Sequence, residues 1–122
     1  QRAATVFAGH TALVYGDLRL DYRQLHADSS RLASALSRKS VAPGDVVATI
    51  LPNVPAQVVA HFGVPACGAV LNAINTRLDP DTVAYILGHG EAKASCAAGH
   101  DSDAARQVKH MCRHQSVLSQ TR

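Results

Sequence analysis

Tryptophan is absent from this 122-residue chain, and phenylalanine, tyrosine and methionine number only two, three and one. So few aromatics, with no long basic run behind a net charge of +3, argue against the basic, aromatic-studded stripe of a dedicated nucleic-acid binder. Cysteine is scarce too. Three scattered residues make no disulfide framework, and an odd count leaves one unpaired, so free thiols in a reducing compartment are the simpler reading. Charged residues make up 17% and apolar ones 47%, a balance that argues against disorder along the whole length. The length allows one domain at most, or part of one. The chain opens on Gln1 rather than Met, which reads as a processed product or a stretch from inside a longer frame. Residues 1–20 hold no basic segment followed by an apolar one, so no secretory signal is expected.

What is present is patterned. Residues 46–76 carry no formal charge, long enough to span a bilayer, but Pro52, Pro55 and Pro65 and several Asn, Gln and His residues break the run. Two buried elements of a soluble protein explain it better, and no membrane span is expected. Gly16-Asp17 between two β-prone runs predicts a tight hairpin, with glycine supplying a positive φ. Asp21 and Gln24 have the spacing of a capping box. They open a helix over about residues 22–39, whose apolar face carries Leu25, Leu32, Ala33 and Leu36 and whose opposite face carries Arg23, Asp28, Arg31 and Arg38. Residues 46–51 run apolar and β-branched without alternation, as suits a strand buried on both faces. A helix follows from about residue 56 into the Gly68 region with a break at Pro65, and its small residues, Gly63 among them, are expected to let it approach the sheet. Residues 70–74 read as a second buried strand. Asp79 and Pro80 open a short helix with Val83, Ile86 and Leu87 inward, stopped by Gly88 or Gly90. Strands alternating with helices predict an α/β fold: a partial three-layer arrangement with mainly parallel strands and an N-terminal β-hairpin.

The character changes after Lys93. Residues 1–93 hold 24 Val, Ile and Leu; residues 94–122 hold three, Val108, Val117 and Leu118. The later segment is expected to be a divergent, disordered tail that does not supply the strand Ala92-Lys93 leads into.

The segments Pro43-Gly44-Asp45-Val46-Val47-Ala48 and Leu51-Pro52-Asn53-Val54-Pro55-Ala56, and above all residues 61–78, from His61-Phe62-Gly63-Val64-Pro65-Ala66-Cys67-Gly68-Ala69 to Asn75-Thr76-Arg77-Leu78, resemble the adenylate-forming superfamily. The likeness is strongest to AMP-forming acyl-CoA synthetases of the short- and medium-chain fatty acid branch, over residues 2–93. It implies the incomplete N-terminal part of the adenylate-forming ligase fold, with residues 1–93 an N-terminal portion of an AMP-binding domain and the reading frame lost at or just after Lys93. It also implies that the full-length enzyme joins a carboxylic acid to ATP and passes the acyl group to coenzyme A, with Mg²⁺ assisting. The compartment expected is the cytoplasm, or the peroxisome for a full-length relative. The family's loop, roughly Ser-Gly-Thr-Thr-Gly-x-Pro-Lys-Gly, has no match in this chain, and neither does a Walker-type loop. The chain alone is therefore expected to be inactive, a truncated ligase-like product; no catalytic, cofactor-binding or metal residue is transferred to it, and it needs no cofactor. The alternative is a non-catalytic product that docks on a full-length relative. Self-association through exposed sheet edges is a further expectation.

Several residues invite a role and meet a plainer reading. Gly44-Asp45 precedes a strand rather than a helix, so a structural turn is expected instead of a phosphate loop. Asn72, Asn75 and Arg77 stand at a strand end; Arg77 could meet a phosphate, but a salt bridge or loop hydrogen bond is the plainer expectation. His61 reads as a packed or hydrogen-bonded helix residue, and Cys67 as a small buried hydrophobe. Cys96, His100, His110, Cys112 and His114 carry zinc-type atoms at spacings that do not converge, so no metal site is expected.

Overall fold

The computed structural model describes residues 1–97. Helix α1 (Arg2–Val6) leads into a hairpin of β1 (Thr11–Tyr15) and β2 (Leu18–Asp21), followed by α2 (Tyr22–Arg38), β3 (Val46–Ile50), α3 (Pro55–Ala66), β4 (Val70–Ala73), α4 (Pro80–His89) and β5 (Ala92–Ala97). The hairpin is antiparallel, and Gly16 takes φ +56° at its tip, as the turn required. The other strands form a parallel sheet in the order β4-β3-β5. The α/β expectation therefore holds, with strands parallel in the main sheet.

Local signals explain most element boundaries. The Asp21 carboxylate accepts from the Gln24 N–H at 2.7 Å while the Gln24 side chain accepts from the Asp21 N–H at 2.9 Å, closing the capping box that starts α2. Replacing Asp21 with alanine is expected to cost about 1 kcal/mol, read as a lower thermal midpoint. Pro55 begins α3; Pro65 cannot donate to the carbonyl of residue 61, and the helix ends one residue later at Ala66. Asp79 caps α4 by accepting from both the backbone N–H and the hydroxyl of Thr82, and Gly90 ends it.

β3 is the centre of the molecule. Val47 points into a core with Leu36 and Val41 from the α2 side, Ala60 and Val64 of α3, and Ala69. Its neighbour Ala48 points to the opposite face, against Ile74 and the α4 residues Val83 and Leu87. Helices thus cover both faces, the three layers read from the sequence.

Three points correct that reading. First, α1 was not anticipated; it is five residues long and buries none of them, so no apolar periodicity announces it. Second, Gly63 faces α2 rather than the sheet: a Cβ there would stand 2.9 Å from the Ser29 carbonyl oxygen and 2.9 Å from Leu32 Cδ2. Third, the strand expected to be missing after Lys93 is formed. β5 runs to Ala97 and pairs with β3 from Val46↔Ala92 to Ile50↔Ala97. Zipping onto an already buried neighbour supplies what a run of Ala, Ser and Cys lacks in intrinsic strand preference.

Lys93 Nζ donates to Asp45 Oδ2 at 2.7 Å, tying β5 to the turn before β3, and the Ala42 N–H donates to the same oxygen at 2.6 Å. These bonds, the lysine first, hold the Asp45 carboxyl below its usual value of about 3.8. Thr82 does the same for Asp79 through its hydroxyl and its N–H. Both groups thus ionise more readily folded than unfolded. Their stabilisation is complete above the ordinary aspartate range and is lost as pH falls through their depressed values. Melting temperature is expected to fall below about pH 4, and the Asp45→Asn/Asp79→Asn double variant to show a shallower fall. Parallel pH profiles for the two proteins would contradict this origin of the acid sensitivity.

Candidate functional site

In an open parallel sheet the place for a ligand is the crevice beyond the carboxyl ends of the strands. Here a cleft of about 570 Å³ lies there, between the segment leaving β3, the N-terminal half of α3 and the segment leaving β4. Its lining includes Asn53, Gln57 and His61 on one side and Asn75, Thr76 and Arg77 on the other. No Asp or Glu lines it.

The polar groups of the cleft differ in how far they are satisfied. His61 Nδ1 lies 2.8 Å from the Gln57 carbonyl oxygen. A carbonyl only accepts, so Nδ1 carries the proton and Nε2 is left for another partner. Asn75 Oδ1 accepts from the Arg77 N–H at 2.9 Å, a turn that fixes the loop carrying the guanidinium. The guanidinium itself has no carboxylate partner among the described residues, where the ion pairs are Arg31–Asp28 and Lys93–Asp45. Gln57 is 9% exposed, and its Oε1 is buried without a hydrogen-bond partner in the described structure, as is Thr49 Oγ1 of β3. An unpaired buried acceptor costs roughly 1–3 kcal/mol, so this end of the sheet is not optimised for stability alone. α3 meets the cleft with no side-chain cap on its first turn. A guanidinium and a helix N-terminus without a competing carboxylate suit an anionic group.

The structure sorts the sequence candidates. Gly44-Asp45 is the structural turn expected, its carboxylate taken up by Ala42 and Lys93. Asn72 lies outside the cleft lining; its Nδ2 would stand 3.1 Å from a Cβ on Gly90, at the end of α4. Of the salt bridge or loop hydrogen bond expected of Arg77, the loop hydrogen bond is formed, from its N–H to Asn75 Oδ1, and no salt bridge is made among the described residues. His61 is hydrogen-bonded as expected, but it is exposed rather than packed. Cys67 is half-buried and its thiol donates to the Val64 carbonyl at 3.1 Å. His100, His110, Cys112 and His114 lie outside the described residues; among those described, no group of three or more His, Cys, Asp or Glu residues converges to hold a metal. Sequence reasoning missed Gln57 as a site residue, and only its place four residues before His61 on α3 could have signalled it.

A model of the AMP-binding enzyme family matches residues 1–121. The chain belongs to that family. The peroxisomal acetate/butyrate–CoA ligase AAE7 of Arabidopsis thaliana is 47% identical over 91 residues, which cover 75% of this chain and 16% of that protein. Acyl-activating enzyme 22 of the same plant is 37% identical over 111 residues, covering 91% of this chain and 21% of its own length. Among solved structures, a benzoate CoA ligase from Burkholderia xenovorans superposes with a TM-score of 0.77 at 32% identity, over 80% of this chain and 20% of that one. The α/β architecture is thus that of the N-terminal region of adenylate-forming ligases. The chain spans about one-sixth of the length of AAE7. The family match passes Lys93, where the resemblance was expected to stop, and β5 crosses the same point.

Proposed function

We propose that this chain forms the N-terminal portion of an AMP-forming acyl-CoA ligase. In the complete protein a carboxylate oxygen attacks the α-phosphorus of ATP and pyrophosphate leaves, giving an acyl-adenylate. The thiol of coenzyme A then attacks the acyl carbon, AMP departs and a thioester remains. The observation that carries this reading is the 47% identity over 91 residues to an acetate/butyrate–CoA ligase. Residues 1–93 serve as framework of the AMP-binding domain and border its cleft. The Ser/Thr/Gly-rich loop with its lysine, which cradles phosphates in such enzymes, has no counterpart in this sequence. The chain alone therefore carries no catalytic step, and the described residues offer no converging acidic set for Mg²⁺.

ATP–pyrophosphate exchange tests this on the 122-residue chain with acetate, butyrate and benzoate. No exchange above the blank is expected; exchange by the chain alone would overturn the assignment. We place the protein in the cytoplasm or, as the name of AAE7 says of that relative, the peroxisome; among the described residues no helix is long and apolar enough to cross a membrane.

A second reading rests on the sheet edges. Among the described residues, β4 and β5 each have only β3 as a neighbour, and Val70 at the β4 edge is half exposed. Such edges favour self-association or docking on a full-length relative. Light scattering behind size exclusion should show the mass rising with concentration; a concentration-independent monomer argues against self-association.

A further inference from the structure

One edge of the parallel sheet is open, uncharged and able to pair with itself. Along β4 the hydrogen-bonding direction alternates. The Val70 N–H donates to the Asp45 carbonyl and the Ile74 N–H to the Thr49 carbonyl, both at 2.8 Å, so the even-numbered residues face β3. Leu71 and Ala73 therefore turn their N–H and C=O groups to the other side, where no strand lies among the described residues. Val70 and Ala73 are exposed along this strand. Backbone groups left open on a strand are a template for another strand. The opposite edge of the sheet differs. There β5 carries Lys93, the kind of residue that guards an edge, whereas residues 70–75 carry no charge.

We propose that β4 is the seam of a homodimer, pairing antiparallel with β4 of a second copy of this chain. The self-association reading above leaves edge and partner open; this inference rests on it and names both. Antiparallel pairing of identical strands is twofold symmetric, so it closes at two copies. With Asn72 opposite Asn72 of the second copy, Leu71 of each copy exchanges both backbone hydrogen bonds with Ala73 of the other. That register uses all the outward backbone groups of Leu71 and Ala73. Two three-stranded sheets then join into one, in the order β5-β3-β4-β4-β3-β5. Charge permits the match: the strand carries none, so the twofold axis brings no like charges together. Four residues a side make a short seam, so the dimer is weak and its population follows concentration.

The test is light scattering and amide hydrogen exchange on the 122-residue chain over a concentration series. The mass should rise toward twice that of the monomer, and the Leu71 and Ala73 amides should gain protection as it does. Ala73→Pro removes an outward N–H and no bond to β3, and Val70→Lys sets a charge beside the seam. Each should weaken dimerisation on the order of tenfold or more. Val14→Lys changes a similarly exposed valine on β1 and should leave the dimer unchanged. Circular dichroism and melting confirm that each variant is folded. A concentration-independent monomer would overturn both this proposal and the self-association reading. A dimer that ignores both β4 substitutions, or that Val14→Lys weakens as strongly, would overturn the assignment to β4 alone. Mass growing beyond two copies would also contradict it, because the twofold seam consumes the edge.

Discussion

Substituting Gly63 with valine is expected to destabilise the chain by about 3 kcal/mol, at the upper end of what overpacking costs. Gly63 sits in α3 where it crosses α2. The first added carbon would already stand 2.9 Å from Leu32 Cδ2 and 2.9 Å from the Ser29 carbonyl oxygen. Leu32 can rotate away, but the Ser29 carbonyl is helix backbone and can move only with α2. Two opposing terms decide the sign. Valine is the better helix former by a few tenths of a kcal/mol, far less than the cost of separating two packed helices. Thermal unfolding should show a drop on the order of 15 °C. Gly88 supplies the control. It lies in α4 with nothing within 4 Å of an added Cβ, so Gly88→Ala should stabilise by about 0.5 kcal/mol. A Gly63→Val variant as stable as the parent would mean that α2 and α3 do not touch there.

The second large effect tests the two cores. Val64 and Val83 are the largest fully buried side chains, 1% and 2% exposed, on opposite faces of β3. Truncating either to alanine removes two methyl groups and leaves a cavity, at an expected cost of about 2 kcal/mol each. The sheet separates them and they share no core partner. The double variant should therefore lose the sum, about 4 kcal/mol, within roughly half a kcal/mol. Strong non-additivity in denaturant unfolding would show that the two faces are not independently packed.

How much of this was legible beforehand depends on the range of the signal. The capping box of Asp21 and Gln24, the Gly16 turn, and the Asp79-Pro80 helix start are local, and all are formed as read. The unalternating run at β3 was legible because a strand covered on both faces needs apolar residues at every position. β5 was not, because Ser95 and Cys96 earn their strand geometry from pairing with Ala48 and Thr49, not from their own preference. The orientation of Gly63 was missed for the same kind of reason: small residues signal a close approach without saying to what. The site was less legible than the fold. Arg77 and His61 stood out as residue types, but the unpaired state of the guanidinium and the orphaned Gln57 Oε1 exist only once strand ends and helix are brought together.

A chimera decides whether this chain is ligase framework: residues 1–93 replace the segment of the acetate/butyrate–CoA ligase that aligns with them, and acetate-dependent formation of acetyl-CoA is measured. A folded chimera that makes the thioester is expected, because this chain supplies the same framework and cleft border as the segment it replaces. A chimera that folds and melts cooperatively yet forms neither acyl-adenylate nor thioester would contradict it.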